Sequence, residues 1–363
     1  WDVNGKQDTV GSIAGSGNIT LGSGSDLRTG GNNNSTTFSG VISGAGTLMK
    51  IGSGNQTLSG TSANTYSGTT TVSDGTLTLA KTASINALAG NLTIGDASGA
   101  TSSAKVQLTN ANQIADSSSV TINSDGQFNL NGKNETIGSL ASASSTANVV
   151  LGTGNTLTTG GANTSTTFAG TISGAGGVTK TGTGNFTLSA ANTYTGGTTV
   201  NGGTLTLSTG GSTGAIRGDL TINSGGTVDA SVTDAFGYSS GSQVNNVTIN
   251  GGTLTNSIPS GNGNLGWGVD YTLSDGALMS SNGGTSSTTA ISNFTFGDSG
   301  SVQATSGTST IAGRVNLRDD GGATNYDFTV DSGANLNITA GITSQGTVGL
   351  TKAGTGTMTL SGA

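Results

Sequence analysis

The sequence contains no cysteine and no histidine. Structural zinc sites, haem-thiolate sites, thiol nucleophiles and imidazole general bases each require one of these residues. Without cysteine there is also no disulfide scaffold, so the fold itself must supply the stability of the chain. We therefore expect no catalytic residue, no metal site and no cofactor in this segment.

Charged residues are scarce as well. The 363 residues include 11 basic and 18 acidic side chains, which gives a net charge of −7, and Glu135 is the only glutamate. This balance disfavours a nucleic-acid partner, because phosphate binding needs clusters of lysine and arginine. No apolar run approaches the roughly 20 residues that span a bilayer, and the stretch after Trp1 lacks a signal-peptide pattern. We interpret the chain as a mature segment that does not itself insert into a membrane.

The rest of the composition disfavours long helices. The chain has 66 glycines and one proline, Pro259. Glycine costs about 1 kcal/mol at a helix-interior position, and threonine, serine and asparagine are weak helix formers. Strict alternation, as in Thr204-Leu205-Thr206-Leu207, places leucines on one face of a strand and threonines on the other. The sequence therefore predicts an all-β fold.

The chain repeats itself at two scales. Long phrases return at an offset of about 128 residues, and strand-turn-strand phrases recur every 20–28 residues, which is typical of a solenoid. We predict one continuous β-helix over 1–363, with long repeats at 4–79 and 131–207, a truncated third at 350–363 and a possible protruding loop at 257–271. The clearest matching phrases are NGKQDTVGSI (4–13) with NGKNETIGSL (131–140), and ANTYSGTTTVSDGTLTL (63–79) with ANTYTGGTTVNGGTLTL (191–207).

A parallel β-helix explains the repetition, because each coil can bury its few aliphatic side chains only against a near-copy of itself. We expect about 14–16 coils, spaced ~4.8 Å apart, with Val72 stacked on Ile94. The asparagines of the repeated ANTY phrase are expected to stabilise turns through Asx-type hydrogen bonds, and its tyrosines to pack over neighbouring coils. The predicted structural positions are Asn64, Tyr66, Val72, Leu77, Leu79, Asn192, Tyr194, Val200, Leu205 and Leu207.

The phrase KTGTGNFTLSAANTYTGGTTVNGGTLTL (180–207) resembles the passenger-associated transport repeat, also called the autotransporter-associated β-strand repeat. A second copy lies at 50–79 and a truncated one at 352–362. The resemblance implies a right-handed parallel β-helix in the passenger of a type V secreted protein of a Gram-negative bacterium. It further implies export through a C-terminal outer-membrane barrel outside this chain, and a location at the cell surface or in the medium.

Three motifs imitate catalytic or cofactor sites. GDSGS (297–301) would make Ser299 a nucleophile, but a serine nucleophile needs a base and the chain has no histidine. GNGNLG (261–266) fits a dinucleotide glycine pattern without the helix that should follow it. Asp319 and Asp320 could serve glycoside hydrolysis or bind Ca²⁺ weakly, but adjacent strand residues point to opposite faces. We interpret the first and the third as turns, and the second as a chance match in a chain this rich in glycine.

The most distinctive stretch is SIPSGNGNLGWGVDY (257–271). Aromatic side chains beside glycine and asparagine can stack on sugars or anchor a protein partner. The ligand-binding candidates are Trp267, Tyr271, Asn262 and Asn264, against the alternative of a loop that bulges from one coil.

These observations favour a cell-surface adhesin or stalk that binds a glycan or protein of a host or cell surface, or that associates with itself. The mechanism would be multivalent weak contact rather than one deep pocket. Two alternatives stay open, a carbohydrate-active β-helix enzyme and a purely structural surface fibre.

Overall fold

A computed structural model describes residues 1–259, 264–266, 268–281, 293–297, 300–319, 322, 325–344 and 346–362. Over these residues the chain consists of strands joined by turns and bends, without a helix. No helix long and apolar enough to cross a membrane therefore occurs in this part of the chain. The chain divides into two compact units, Trp1–Val178 and Thr179–Ala363.

The first unit is built from parallel ladders. One sheet has the strand order β1-β3-β6-β8-β10-β12-β15 and a second has the order β4-β7-β9-β11-β13-β16-β19, while β2 pairs with β5 and β14 with β17. The strands are β1 (Gln7–Val10), β2 (Ile19–Leu21), β3 (Asp26–Thr29), β4 (Thr36–Phe38), β5 (Ile42–Gly44), β6 (Thr47–Lys50), β7 (Asn55–Gly60), β8 (Thr70–Val72), β9 (Gly75–Lys81), β10 (Leu92–Ile94), β11 (Ala104–Leu108), β12 (Ser119–Ile122), β13 (Gly126–Asn129), β14 (Glu135–Ile137), β15 (Ser139–Ala141), β16 (Asn148–Val150), β17 (Thr156–Thr159), β18 (Thr166–Phe168) and β19 (Thr171–Ser173); β20 (Gly177–Lys180) spans the division.

The second unit has the same design. Its sheets have the orders β22-β24-β26-β28-β31-β34-β37, β21-β23-β25-β27-β29-β32-β35-β38 and β30-β33-β36. The strands are β21 (Asn185–Leu188), β22 (Thr198–Val200), β23 (Gly203–Leu207), β24 (Leu220–Asn223), β25 (Gly226–Ala230), β26 (Asn246–Asn250), β27 (Thr253–Asn256), β28 (Asp270–Ser274), β29 (Leu278–Ser281), β30 (Phe294–Phe296), β31 (Val302–Ala304), β32 (Thr308–Ile311), β33 (Val315–Leu317), β34 (Asn325–Val330), β35 (Asn335–Ile338), β36 (Ile342–Ser344), β37 (Gly349–Ala353) and β38 (Thr357–Leu360).

Aliphatic side chains stack in rows inside each unit. Val72 pairs in register with Ile94, which pairs in turn with Ile122, and all three are buried. Each added coil thus removes the apolar surface of the coil before it from water, which favours the fold by about 25 cal/mol per Å². The chain forms a parallel β-solenoid of about 15 turns, so the predicted all-β parallel β-helix is confirmed.

The outward positions of the strands are mostly polar. In β23 the buried positions are taken by Leu205 and Leu207, while Thr204 and Thr206 point outward and are half-buried. The alternation of burial follows the alternation of residue type, since successive side chains of a strand point to opposite faces.

Two glycines of the repeated ISGAG phrase permit the close approach of neighbouring coils. Gly44 and Gly174 have φ angles of +105° and +107°, a region that other residues rarely adopt. A Cβ atom at Gly44 would collide with the carbonyl oxygen of Leu21, and one at Gly174 with that of Leu151. Both positions therefore require glycine.

Candidate functional site

Buried lysines hold consecutive coils together. Lys50, at the end of β6, is 1% exposed. Its Nζ donates to the carbonyl oxygens of Ile51 at 2.9 Å, Gly52 at 2.6 Å and Asp74 at 3.1 Å. Asp74 follows β8, the strand that pairs with β6, so the ammonium joins two coils. Burial lowers the pKa of Lys50 to about 8, and the charge of Asp74 opposes this shift.

The second unit repeats the arrangement. Lys180 Nζ donates to the carbonyl oxygens of Thr181 at 2.7 Å, Gly182 at 3.1 Å and Gly202 at 3.1 Å. Burial lowers the pKa of Lys180 as well. A hydrogen bond from a charged donor contributes about 1.5–3 kcal/mol, so each of these lysines fixes a turn and the coil after it.

The asparagine of the ANTY phrase also crosses coils. Asn64 Oδ1 accepts from the Ile42 backbone N–H at 2.9 Å, and its Nδ2 donates to the Ala87 carbonyl at 2.9 Å. These partners lie 22 residues before and 23 residues after Asn64, so the side chain links three coils instead of closing an Asx turn on its own backbone. In the second unit Asn192 Nδ2 donates to Ala215 O at 2.8 Å, again one coil onward.

The tyrosines of the same phrase are fully buried. Tyr66 Oη lies 2.6 Å from Thr70 Oγ1, and Tyr194 Oη lies 2.6 Å from Thr198 Oγ1. Burial raises the pKa of both phenols. Each hydroxyl thus has a partner four residues onward, which a buried tyrosine needs.

Glu135 is the one buried glutamate of the chain. It is 0% exposed, and its carboxylate accepts backbone hydrogen bonds from Gln113 at 2.8 Å and Ile114 at 3.1 Å. Burial raises its pKa to about 7; the backbone donors of Gln113, Ile114 and Thr136 oppose the shift and Asp116 adds to it. The side chain thus joins two coils, and it changes its charge around neutral pH.

A regular polar surface covers the sheet β22-β24-β26-β28-β31-β34 of the second unit. Its central row is in register from coil to coil and all but one of its side chains are half-buried: Thr199, Thr221, Thr248, Thr272, Gln303 and Thr329. We call these six residues the threonine row. At a strand spacing of about 4.8 Å the row is about 24 Å long.

An amide ladder runs beside the threonine row. Asn223 Nδ2 donates to Asn201 Oδ1 at 2.7 Å, and Asn250 Nδ2 donates to Asn223 Oδ1 at 3.1 Å. Ser274 Oγ continues the ladder by donating to Asn250 Oδ1 at 2.8 Å. These bonds orient the amides in one direction, so the surface presents fixed rather than freely rotating polar groups.

The predicted ligand loop is only partly among the described residues. Tyr271 is 4% exposed, and its ring packs edge-on against Phe296 with centroids 5.7 Å apart. Asn264 is buried too, and its carbonyl accepts from the Asp234 N–H at 2.7 Å. Trp267 and Asn262 lie outside the described residues. A ligand would reach Tyr271 only if the ring left the interior, and ligand binding by this loop stays a prediction.

The motifs that imitate catalytic sites are placed as follows. Ser299 and Asp320 lie outside the described residues, as do 261–263 of the glycine-rich motif. Asp319 is exposed, and the neighbouring Arg318 carbonyl accepts from Tyr326 Oη at 2.7 Å. Within the described ranges no three acidic or other ligating side chains come together to form a metal site.

The sequence reasoning assigned no role to the buried lysines or to Glu135. A signal for the lysines was present, since Lys50 and Lys180 begin the repeated phrases KIGSGN and KTGTGN. Repetition of a charged residue inside an otherwise uncharged phrase indicates a fixed partner. Glu135 carried no such signal, because its counterpart in the first copy is the exposed Asp8.

Comparison with known proteins matches the repeated phrases of the chain. A family model described as the passenger-associated-transport-repeat matches residues 48–79, 178–207 and 350–363. The chain is also similar to the adhesin BmaC autotransporter of Brucella suis biovar 1 (strain 1330), with 39% identity over 80 residues. That match covers 21% of this chain and 2% of the relative. The predicted resemblance to an autotransporter passenger with these repeats is confirmed.

Proposed function

We propose that the chain is a segment of an exported adhesin, which the solenoid presents at the bacterial surface or in the medium. The observation that carries the proposal is the threonine row with its amide ladder. Hydroxyl and amide groups recur once per coil along one surface and are held in register by the backbone. A partner with repeating polar groups can therefore meet several equivalent contacts at once.

Binding by such a surface depends on the number of contacts rather than on the depth of a pocket. A single exposed hydroxyl contributes little, because its bond to a partner replaces a bond to water. Several contacts along one rigid surface add up, since after the first has formed the others are made at high effective concentration. A glycan or the polar surface of another protein, including a second copy of the chain, has the chemistry that fits.

The repeat family and the name of the relative support export and a role without catalysis. Inside the repeats, Lys50, Asn64 and their counterparts Lys180 and Asn192 join the coils. We assign these residues to the support of the surface and not to partner contact.

The test is adherence of cells that display the chain, compared with cells that display a variant of one surface. Thr248→Arg places a long cation in the threonine row, whereas Thr227→Arg places the same cation on β25, an outward position of another sheet in the same unit. We expect Thr248→Arg to reduce adherence or aggregation about tenfold and Thr227→Arg to leave it nearly unchanged. Equal effects of the two variants would argue against the threonine row, and no adherence with the unaltered chain would overturn the proposed function.

A further inference from the structure

A short charged loop precedes β24 in the second unit. Arg217, Gly218 and Asp219 lie between Ile216 and Leu220, both of which are 0% exposed. The two apolar neighbours anchor the loop on either side, while Asp219 is exposed and Arg217 is half-buried. The tripeptide is therefore the only surface-facing part of this stretch.

The backbone of the loop is fixed. Gly218 has a φ angle of +72°, and a Cβ atom there would lie 2.8 Å from the Thr195 carbonyl oxygen and 3.1 Å from the Gly197 nitrogen. The Asp219 carbonyl accepts from the Thr198 N–H at 2.8 Å, which ties the loop to the preceding coil. Because this conformation exists before any partner binds, little ordering entropy is lost on binding.

The fold gives the two charged side chains of the loop few contacts. Within the described part of the chain the Arg217 side chain has no hydrogen bond or ion pair, and its buried Nε lacks a partner. Asp219 accepts one exposed hydrogen bond, from Asn246 Nδ2 at 2.8 Å. Leaving a buried guanidinium donor unpaired costs free energy, and a functional contact is one reason for a protein to keep such a group.

We propose that Arg217, Gly218 and Asp219 form a receptor-recognition loop. The partner is a host-cell receptor that offers a bound divalent cation to the Asp219 carboxylate and an acidic pocket to the Arg217 guanidinium, as receptors of the integrin class do when they read Arg-Gly-Asp. Carboxylate oxygen is a preferred ligand of Mg²⁺ and Ca²⁺, and a guanidinium binds a carboxylate in a bidentate manner. This inference rests on the proposed adhesin function and adds one defined contact to it.

The experiment measures binding of the purified chain to the immobilised ectodomain of an Arg-Gly-Asp-reading integrin, with Mg²⁺ and then with EDTA. We expect binding that EDTA abolishes and that Asp219→Glu weakens at least tenfold, because one added methylene displaces the carboxylate from the cation. Arg217→Lys should weaken it too, since lysine keeps the charge but loses the fork of donors. The matched control is Asp270→Glu, an exposed carboxylate one coil beyond Asn246 in the same sheet.

Thermal unfolding of each variant identifies any general loss of structure. Equal binding by the unaltered chain and Asp219→Glu, binding that resists EDTA, or an equal loss with Asp270→Glu would each overturn the inference. Adherence of displaying cells separates this failure from failure of the proposed function. If cells that display Asp219→Glu adhere like cells with the unaltered chain while cells with Thr248→Arg do not, the adhesin function is supported and the proposed recognition loop is refuted.

Discussion

Glu135 makes the stability of the first unit depend on pH near neutrality. Its carboxylate is fully buried, and its partners are the backbone N–H groups of Gln113, Ile114 and Thr136, which carry no full charge. No cation offsets the cost of burying the charge, so burial raises the pKa to about 7 from the ordinary 4.5. Glu135→Gln keeps the shape of the side chain and one acceptor oxygen but stays neutral at every pH.

The sign and size of the effect follow from that difference in pKa. Between pH 4.5 and about 7 the folded state of Glu135 holds a proton that the unfolded chain has released. The stability contributed by the protonated carboxyl is therefore complete below pH 4.5 and is lost as the pH rises through 7. At roughly 1.4 kcal/mol for each pH unit, the loss amounts to about 3 kcal/mol.

The assay is urea unfolding at pH 5 and pH 8, followed by far-UV circular dichroism. On going from pH 5 to pH 8, Glu135→Gln should gain about 3 kcal/mol relative to the unaltered chain. Amide hydrogen exchange at Gln113 and Ile114 should show the change locally, because a solenoid can open coil by coil. Asp8→Asn, at the exposed matching position of the first repeat, is the control and should shift by no more than about 0.5 kcal/mol. Parallel pH profiles for Glu135→Gln and the unaltered chain would refute the reasoning.

Three further changes test the contacts between coils, with urea unfolding as the measurement in each case. Lys50→Met leaves three half-buried carbonyl oxygens without their donor and should cost about 3 kcal/mol, whereas Lys105→Met on the outward face of β11 should cost less than about 0.5. Between about pH 8 and pH 10.5, Lys50 is protonated in the unfolded chain but has lost its proton in the folded chain. The contribution of Lys50 to the free energy of unfolding therefore rises with pH over this range. This rise should be absent from Lys50→Met. Asn64→Ala removes two buried bonds and should cost about 2 kcal/mol. Gly44→Ala should cost at least about 1 kcal/mol through its positive φ angle, and more because of the collision with Leu21. A loss below about 0.5 kcal/mol for Lys50→Met or Asn64→Ala would contradict the role of these side chains.

The stacking of the coils could be predicted from the sequence because two periods agree. The alternation within a strand determines which side chains face inward. The repeat from coil to coil determines which of these side chains pack against each other. Val72 and Ile94 occupy the same place in the two periods, and they pair in register. Neither period depends on interactions between distant side chains, which is why residue patterns were sufficient.

The polar interior was harder to predict. Lys50 precedes a glycine-rich turn and would ordinarily be solvated, and only the following coil supplies the Asp74 carbonyl that helps to bury it. Tyr271 lies two residues before Leu273, so alternation alone places both on the inward face of β28. The composition of the loop indicates a ligand contact at Tyr271, whereas the alternation of the strand predicts its burial.

The buried polar groups also explain how a chain of such uniform composition keeps a single register. Threonine, serine and glycine fill about half of the positions, so a slip of the coils would exchange many side chains for similar ones at little cost. A slip by one residue would, however, move Lys180 away from Gly202 and Asn192 away from Ala215 in the second unit, which carries the threonine row. Each displaced group would leave buried donors and acceptors unpaired at about 1–3 kcal/mol apiece. Alignment of the threonine row on the surface thus depends on polar contacts in the interior, and variants of the lysines and asparagines should disturb adherence through the register of the coils, without contact to any partner.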